Sequence, residues 1–106
     1  MKEDTEIIHI GEVDDIDIGE VENFEHEELN YAIFHLESGF FATQGNCNCE
    51  ENAFLSEATV EGEEFECASC GNTYNIVSGD PISDPELSQL KLYDVSEEDG
   101  NIYLNL

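Results

Sequence analysis

The stretches Asn46-Cys47-Asn48-Cys49 and Cys67-Ala68-Ser69-Cys70 hold all four cysteines of the chain. Within each stretch the sulfurs stand two or three positions apart, close enough for one tight turn to aim both at a common point. The longer interval between the stretches leaves room for a hairpin. This is the pattern of a four-thiolate metal site. Such a site suits zinc, a single iron or a 2Fe-2S cluster, and the softness of the ligands does not choose among them.

The segments on either side read as a frame of short strands. Leading into the first cysteine loop, Leu29 to Leu36 places Tyr31, Ile33 and His35 on one face and Ala32, Phe34 and Leu36 on the other. Glu37-Ser38-Gly39 predicts a hairpin turn, with Phe40 to Thr43 returning. Between the loops, Ala53-Phe54-Leu55 and Thr59-Val60 are short apolar patches, and Glu61-Gly62-Glu63 turns into the strand Glu64-Phe65-Glu66. Two small hairpins thus carry the two cysteine loops.

Upstream, the Ile-rich Thr5 to Ile10 predicts a first strand ended by Gly11. A loop at Asp14-Asp15-Ile16-Asp17 and a second strand from Gly19 to Phe24 follow, the latter entering the polar Glu25-His26-Glu27-Glu28. Downstream, Thr73 to Val77 predicts a strand closed by Ser78-Gly79-Asp80-Pro81, and Ile82 to Leu87, with Pro85, a loop. Leu90 to Val95 and Ile102 to Leu106 pair across Glu97-Glu98-Asp99-Gly100. Short strands at regular spacing, with no amphipathic helix and no repeat, predict an all-β sandwich or barrel.

At 106 residues, size predicts one domain, small enough for a metal to matter to its stability. Hydrophobic residues make up 40% of the chain, yet 27 Asp and Glu face only 2 Lys and Arg, for a formal charge of -25. Nucleic acids and anionic membranes repel such a surface, because they are bound by neutralising phosphate with Lys and Arg. A protein partner with a basic docking face fits it, since opposite charges speed encounter and make it salt-tunable. The same acidity also serves solubility or a saline cytosol. The opening Met1-Lys2-Glu3-Asp4 leads into no apolar run, and no stretch is long enough to span a bilayer, so the expected compartment is the cytoplasm. In that reducing setting, closely spaced cysteine pairs read as metal ligands rather than disulfides.

The order of these parts resembles soluble Rieske-type ferredoxins and the Rieske domains of oxygenases over essentially the whole chain. That family carries Cys-x-His in its first loop and Cys-x-x-His in its second, followed by Gly and then an aromatic residue. Here the loops are Cys47-Asn48-Cys49 and Cys67-Ala68-Ser69-Cys70, followed by Gly71 and by Tyr74 at the aromatic position. Ser78-Gly79-Asp80-Pro81 matches the proline-containing loop that covers the cluster.

The chain departs from the family in both histidines, each replaced by cysteine. The resemblance implies a single Rieske-like antiparallel β-sandwich or barrel over residues 1–106, with a two-loop cluster-binding subdomain at 44–81. It implies that Cys47 and Cys67 bind the inner iron of a 2Fe-2S cluster, and that Cys49 and Cys70 take the histidine places on the outer iron. Gly71, Asn72, Tyr74 and Pro81 would surround it: Gly71 in a tight turn, Asn72 where the family often has serine, and Tyr74 donating to a cysteine sulfur or serving as a strand aromatic. The implied role is a small electron carrier between a reductase and an oxygenase or another redox enzyme. Two thiolates in place of two neutral imidazoles add negative charge, which implies a low potential independent of pH near neutrality.

Other readings of the cysteines stay open. A zinc ribbon (Zn2+ in a structural or protein-interaction module) also uses paired cysteines, although it favours Cys-x-x-Cys in both loops and a shorter frame. A single rubredoxin-like iron meets the same objection, and plant-type ferredoxins space their cysteines differently. His9, His26 and His35 stand at no ligand spacing from a cysteine and read as surface or strand residues. The acidic runs Asp14-Asp15-Asp17, Glu25-Glu27-Glu28 and Glu97-Glu98-Asp99 lack an EF-hand pattern and read as solvated faces. No nucleophile triad, phosphate loop or paired-carboxylate cleft stands out, so no catalytic residue is expected.

Overall fold

The computed structural model describes residues 7–47, 54–83, 86 and 88–105. Its strands are β1 (Ile7–Glu12), β2 (Glu20–His26), β3 (Leu29–Leu36), β4 (Gly39–Gln44), β5 (Thr59–Glu61), β6 (Glu64–Glu66), β7 (Thr73–Asn75), β8 (Leu92–Glu98) and β9 (Asn101–Asn105). Two single-turn 3-10 segments, Val13–Asp15 and Leu55–Glu57, are the only helical turns among the described residues. A six-stranded antiparallel sheet runs β1-β9-β8-β4-β3-β2, and a three-stranded one runs β5-β6-β7. The all-β expectation is met.

The alternation of β3 explains why the molecule has two cores. Tyr31 and Ile33 enter one cluster with Ile16, Phe40, Ala42, Ile102 and Leu104, inside the curl of the large sheet. Ala32, Phe34 and Leu36 point the other way, into a cluster with Leu55, Phe65, Tyr74, Ile76 and Leu90 that also takes in Cys47 and Cys67. A strand apolar on both faces must be covered on both. Full burial of each such side chain stabilises by about 1.5–3 kcal/mol. The second core is therefore the seam that fastens the small sheet, and with it the cysteine loops, to the large one.

Several strand boundaries differ from the sequence expectation. Gly11 does not end β1: Ile10 is the extra residue of a bulge between the pairs His9↔Tyr103 and Gly11↔Ile102, and the strand runs on to Glu12. β7 stops at Asn75 rather than Val77, because the Asn75 side-chain oxygen accepts the amides of both Val77 and Ser78 at 2.9 Å and bends the chain away. The β2–β3 and β8–β9 hairpins turn on Glu27-Glu28 (φ 53 and 71) and Asp99-Gly100 (φ 53 and 82), so β2 and β8 each extend into residues read as turn. Positive φ at both turn positions is what a two-residue type I′ turn requires.

Candidate metal centre

The first cysteine loop leaves the end of β4 through a close crossing. Gly45 donates its amide to the Asn30 carbonyl at 2.9 Å, and a Cβ on Gly45 would stand 2.5 Å from the Asn30 backbone. Only glycine lets the two segments pass. The side chain of Gln44 then ties the loop down at both ends of its amide: Nε2 donates to the Asn46 carbonyl at 2.8 Å, and Oε1 accepts the Lys91 amide at 2.9 Å. Across the loop, Asn46 pairs with Phe54, and Leu55 donates to the Gly45 carbonyl at 2.9 Å. Cys47 emerges from this anchorage fully buried.

The second loop closes on itself. The Cys67 amide donates to the Asn72 carbonyl at 2.9 Å, and the Gly71 amide donates back to the Cys67 carbonyl at 3.0 Å. Gly71 holds φ +75, the left-handed conformation expected of glycine at such a turn. The turn buries Cys67 and leaves Cys70 exposed.

The two loops bring Cys47, Cys67 and Cys70 together, with their sulfurs all within 4.8 Å of one another and those of Cys47 and Cys70 3.6 Å apart. Cys49, the fourth expected ligand, lies outside the described residues, as does Pro85. A convergent set of thiols is the donor set of a thiophilic metal. Two donor groups face it. Asn72 Nδ2 donates to the Cys70 sulfur at 3.3 Å.

The second donor is the Tyr74 hydroxyl, buried and without a hydrogen-bond partner. Burial first, then the charges of the neighbouring Cys47, Cys70 and Cys67, push the Tyr74 pKa up to about 12, so it stays a neutral donor. A side-chain interaction with Cys47 adds to the rise, the hydroxyl facing that sulfur without closing a hydrogen bond of good geometry. An orphaned buried hydroxyl beside three sulfurs fits a site that offers it an acceptor. Its ring is the end of a stack, 5.4 Å from Phe65, which in turn lies 5.5 Å from Phe34 of β3. The two readings of Tyr74, core aromatic and sulfur-facing donor, are therefore compatible.

Pro81 pairs with Tyr74 as an isolated bridge, which lays the proline loop along β7. The loop is held from its far side as well: Leu90 donates to the Gly79 carbonyl at 2.9 Å, and Gln89 Nε2 donates to Asp80 Oδ1 at 2.7 Å. Gln44, Ser83 and Gln89 were not singled out from the sequence. Only Gln44, a polar residue between a strand end and a cysteine loop, carried a local signal.

The histidines stay away from the sulfurs. His9 meets Asn101 at 3.1 Å, His35 Nδ1 meets the Ile16 carbonyl at 2.7 Å, and His26 faces Glu27 at 3.4 Å. No helix among the described residues is long and apolar enough to cross a membrane.

Known proteins are similar to this chain in sequence and fold. Ferredoxin CarAc of Metapseudomonas resinovorans is 32% identical over 73 residues, covering 69% of this chain and 67% of its own. The biphenyl dioxygenase ferredoxin subunit of Pseudomonas sp. (strain KKS102) is 27% identical over 93 residues, 88% of this chain and 85% of its own. A solved structure described as a complex of reduced oxygenase and oxidized ferredoxin in carbazole 1,9a-dioxygenase superimposes with a TM-score of 0.85. It is 25% identical, over 92% of this chain and 91% of that one. Residues 6–94 match the family described as the Rieske [2Fe-2S] domain, and the chain belongs to that family.

Proposed function

We propose that this protein is an electron carrier, not an enzyme in its own right, whose Cys47, Cys49, Cys67 and Cys70 hold a 2Fe-2S cluster on a Rieske frame. It passes single electrons from a reductase to an oxygenase or another redox enzyme. The observation that carries this reading is the convergence of the Cys47, Cys67 and Cys70 sulfurs, two buried and one exposed, at the tips of the two loops. Bound there, a 2Fe-2S cluster supplies a one-electron couple. The residues do the rest: the core around Cys47 and Cys67 excludes water, the two loops set the ligands, and Cys70 keeps one edge of the centre at the surface, where a partner reaches it. We take residues 1–106 as one domain, with the subdomain at 44–81 supplying these loops.

The charge of -25 selects a partner with a basic face, acts against nucleic acid and anionic membranes, and suits the cytoplasm. The relatives' names fit an oxygenase as partner, one being a ferredoxin and the other the ferredoxin subunit of a biphenyl dioxygenase. Four thiolates place the potential nearer about -400 mV than the roughly -150 to +300 mV of histidine-ligated centres. Transfer to a basic-faced oxygenase should slow as salt rises.

One distance favours a second reading. Sulfurs bound at about 2.3 Å to one tetrahedral ion stand roughly 3.8 Å apart. The Cys47–Cys70 separation of 3.6 Å matches that edge, whereas the carry-over from the family puts these two residues on different irons. A single zinc or iron in a structural module is therefore the alternative. Metal and sulfide analysis of protein purified without air separates the two. Two irons and two sulfides per chain, with visible colour that bleaches on one-electron reduction, support the carrier. One zinc and no colour overturn it.

A further inference from the structure

We propose that the outer edge of β2 is a docking strip for an extended, basic segment of a partner protein, which adds a strand to the large sheet in the gap between β2 and β1. The strip borders the core that holds Ile33 and Ile102, not the one that takes in Cys47 and Cys67, so the inference stands apart from what the cysteines bind.

The sheet order leaves β1 and β2 as its two edges, and the curl brings them to opposite sides of one groove of about 340 Å³. Buried Ile16, Ile33 and Ile102 form its floor, with Gly11 and Asp15 on the β1 side and Glu22 and Phe24 on the β2 side. The two edges are finished differently. On β1, Asp15 Oδ2 accepts the Glu12 amide at 2.9 Å, and a Cβ on Gly11 would stand 2.9 Å from the same oxygen, so the carboxylate covers that edge. On β2, the two-residue turn makes His26↔Leu29 a hydrogen-bonded pair, and the alternation then points the amides and carbonyls of Val21, Asn23 and Glu25 outward. None of these groups meets a backbone partner among the described residues. An open row of this kind is a template for one more strand.

The register specifies what the added strand carries. Glu20, Glu22 and Phe24 pair with His35, Ile33 and Tyr31 and share their face, which is the groove side of β2. Opposite the two glutamates, Lys or Arg fits best, its stem lying toward the isoleucine floor and its charged end meeting Glu20 or Glu22. Opposite Phe24, an apolar side chain fits best. Antiparallel pairing, the stronger kind, reads this as apolar-x-basic-x-basic along the partner segment. The same glutamates, with Glu25, oppose a second copy of this edge by like charge, while a chain of formal charge -25 draws a basic segment in.

The test is amide hydrogen exchange of the whole chain, metal-loaded as purified, with the end-capped peptide Thr-Ile-Thr-Lys-Thr-Lys-Thr. With peptide at about ten times its dissociation constant, exchange at Val21, Asn23 and Glu25 should slow about tenfold, and exchange at Gly62, in the β5–β6 turn, should not change. Asn23→Pro, which an outward-facing edge position accommodates, should abolish the slowing at Val21 and Glu25. Glu22→Lys should weaken peptide binding about tenfold. No binding, or binding that leaves the three β2 amides unprotected, overturns the proposal. So does equal binding of a peptide of the same charge with proline in place of its central threonines, since that is attraction to the acidic surface alone. If Asn23→Pro does not fold, Glu22→Lys decides: the tenfold loss supports the proposal, and undiminished binding overturns it. A peptide-free dimer that already protects Val21, Asn23 and Glu25 puts a second copy on the edge and overturns it as well.

Discussion

Cys47 and Cys67 are 1% and 2% exposed, buried in the core they share with Phe34, Leu55 and Tyr74, whereas Cys70 lies open on the second loop. The inner pair is part of the fold as well as of the site. Replacing either would leave a cavity or an unsatisfied group in close-packed surroundings. Cys70 answers to no such packing, so the residue at its position can change without disturbing the frame. That is where the chain departs from the family's histidine. The departure at Cys70 is thus one the architecture tolerates.

The difference can be broken from the inside first. Phe65 stacks between Phe34 of the large sheet and Tyr74 of the small one, so Phe65→Ala should destabilise the metal-free protein by about 3–5 kcal/mol. Ile102→Val, in the other core, should lose only about 0.5–1.5 kcal/mol. Urea unfolding of the two variants measures both, and equal losses would deny that the seam depends on Phe65.

The next comparison sets the two kinds of cysteine side by side. Cys67→Ala should lose metal and also destabilise the metal-free chain by about 1–2 kcal/mol, within the usual range for a core truncation. Cys70→Ala should lose or weaken metal binding while metal-free stability stays within about 0.5 kcal/mol. Metal content and thermal unfolding on the same samples check the pair.

Smaller effects sharpen the picture. Gln44→Leu removes the tie between the Asn46 carbonyl and the Lys91 amide and should cost about 0.5–1.5 kcal/mol. It should also speed iron release to a chelator, read as a rate. Tyr74→Phe deletes a buried hydroxyl that has no hydrogen-bond partner, so the metal-free protein should change by less than about 0.5 kcal/mol or gain slightly. The loaded protein should nonetheless shift to a lower potential, which a purely structural Tyr74 would not produce.

Much of this was legible in one dimension. β3 was readable to the residue because both its faces are apolar, and the cysteine spacing located the loops because ligand geometry is local. What the sequence hid depends on contacts between distant segments. The bulge at Ile10 is set by the register against β9, and the early end of β7 by the Asn75 side chain capping its own turn. Glu27-Glu28 carried no glycine to announce a type I′ turn, so the hairpin pairing of β2 with β3 imposes it. At the site, the roles of Ser83 and Gln89 arise only once the proline loop folds back on β7 and β8's approach, since neither has a neighbour in sequence that predicts its partner.

The positional equivalence of the two outer cysteines to the family's histidines is tested most directly by the double substitution Cys49→His with Cys70→His, followed by redox titration across pH. We expect a centre that still holds two irons and two sulfides, with a potential raised from near -400 mV into the range of about -150 mV or above, and now falling as pH rises through the imidazole range. A double variant that binds no iron–sulfur centre, or one whose potential stays where the parent's is, would contradict it.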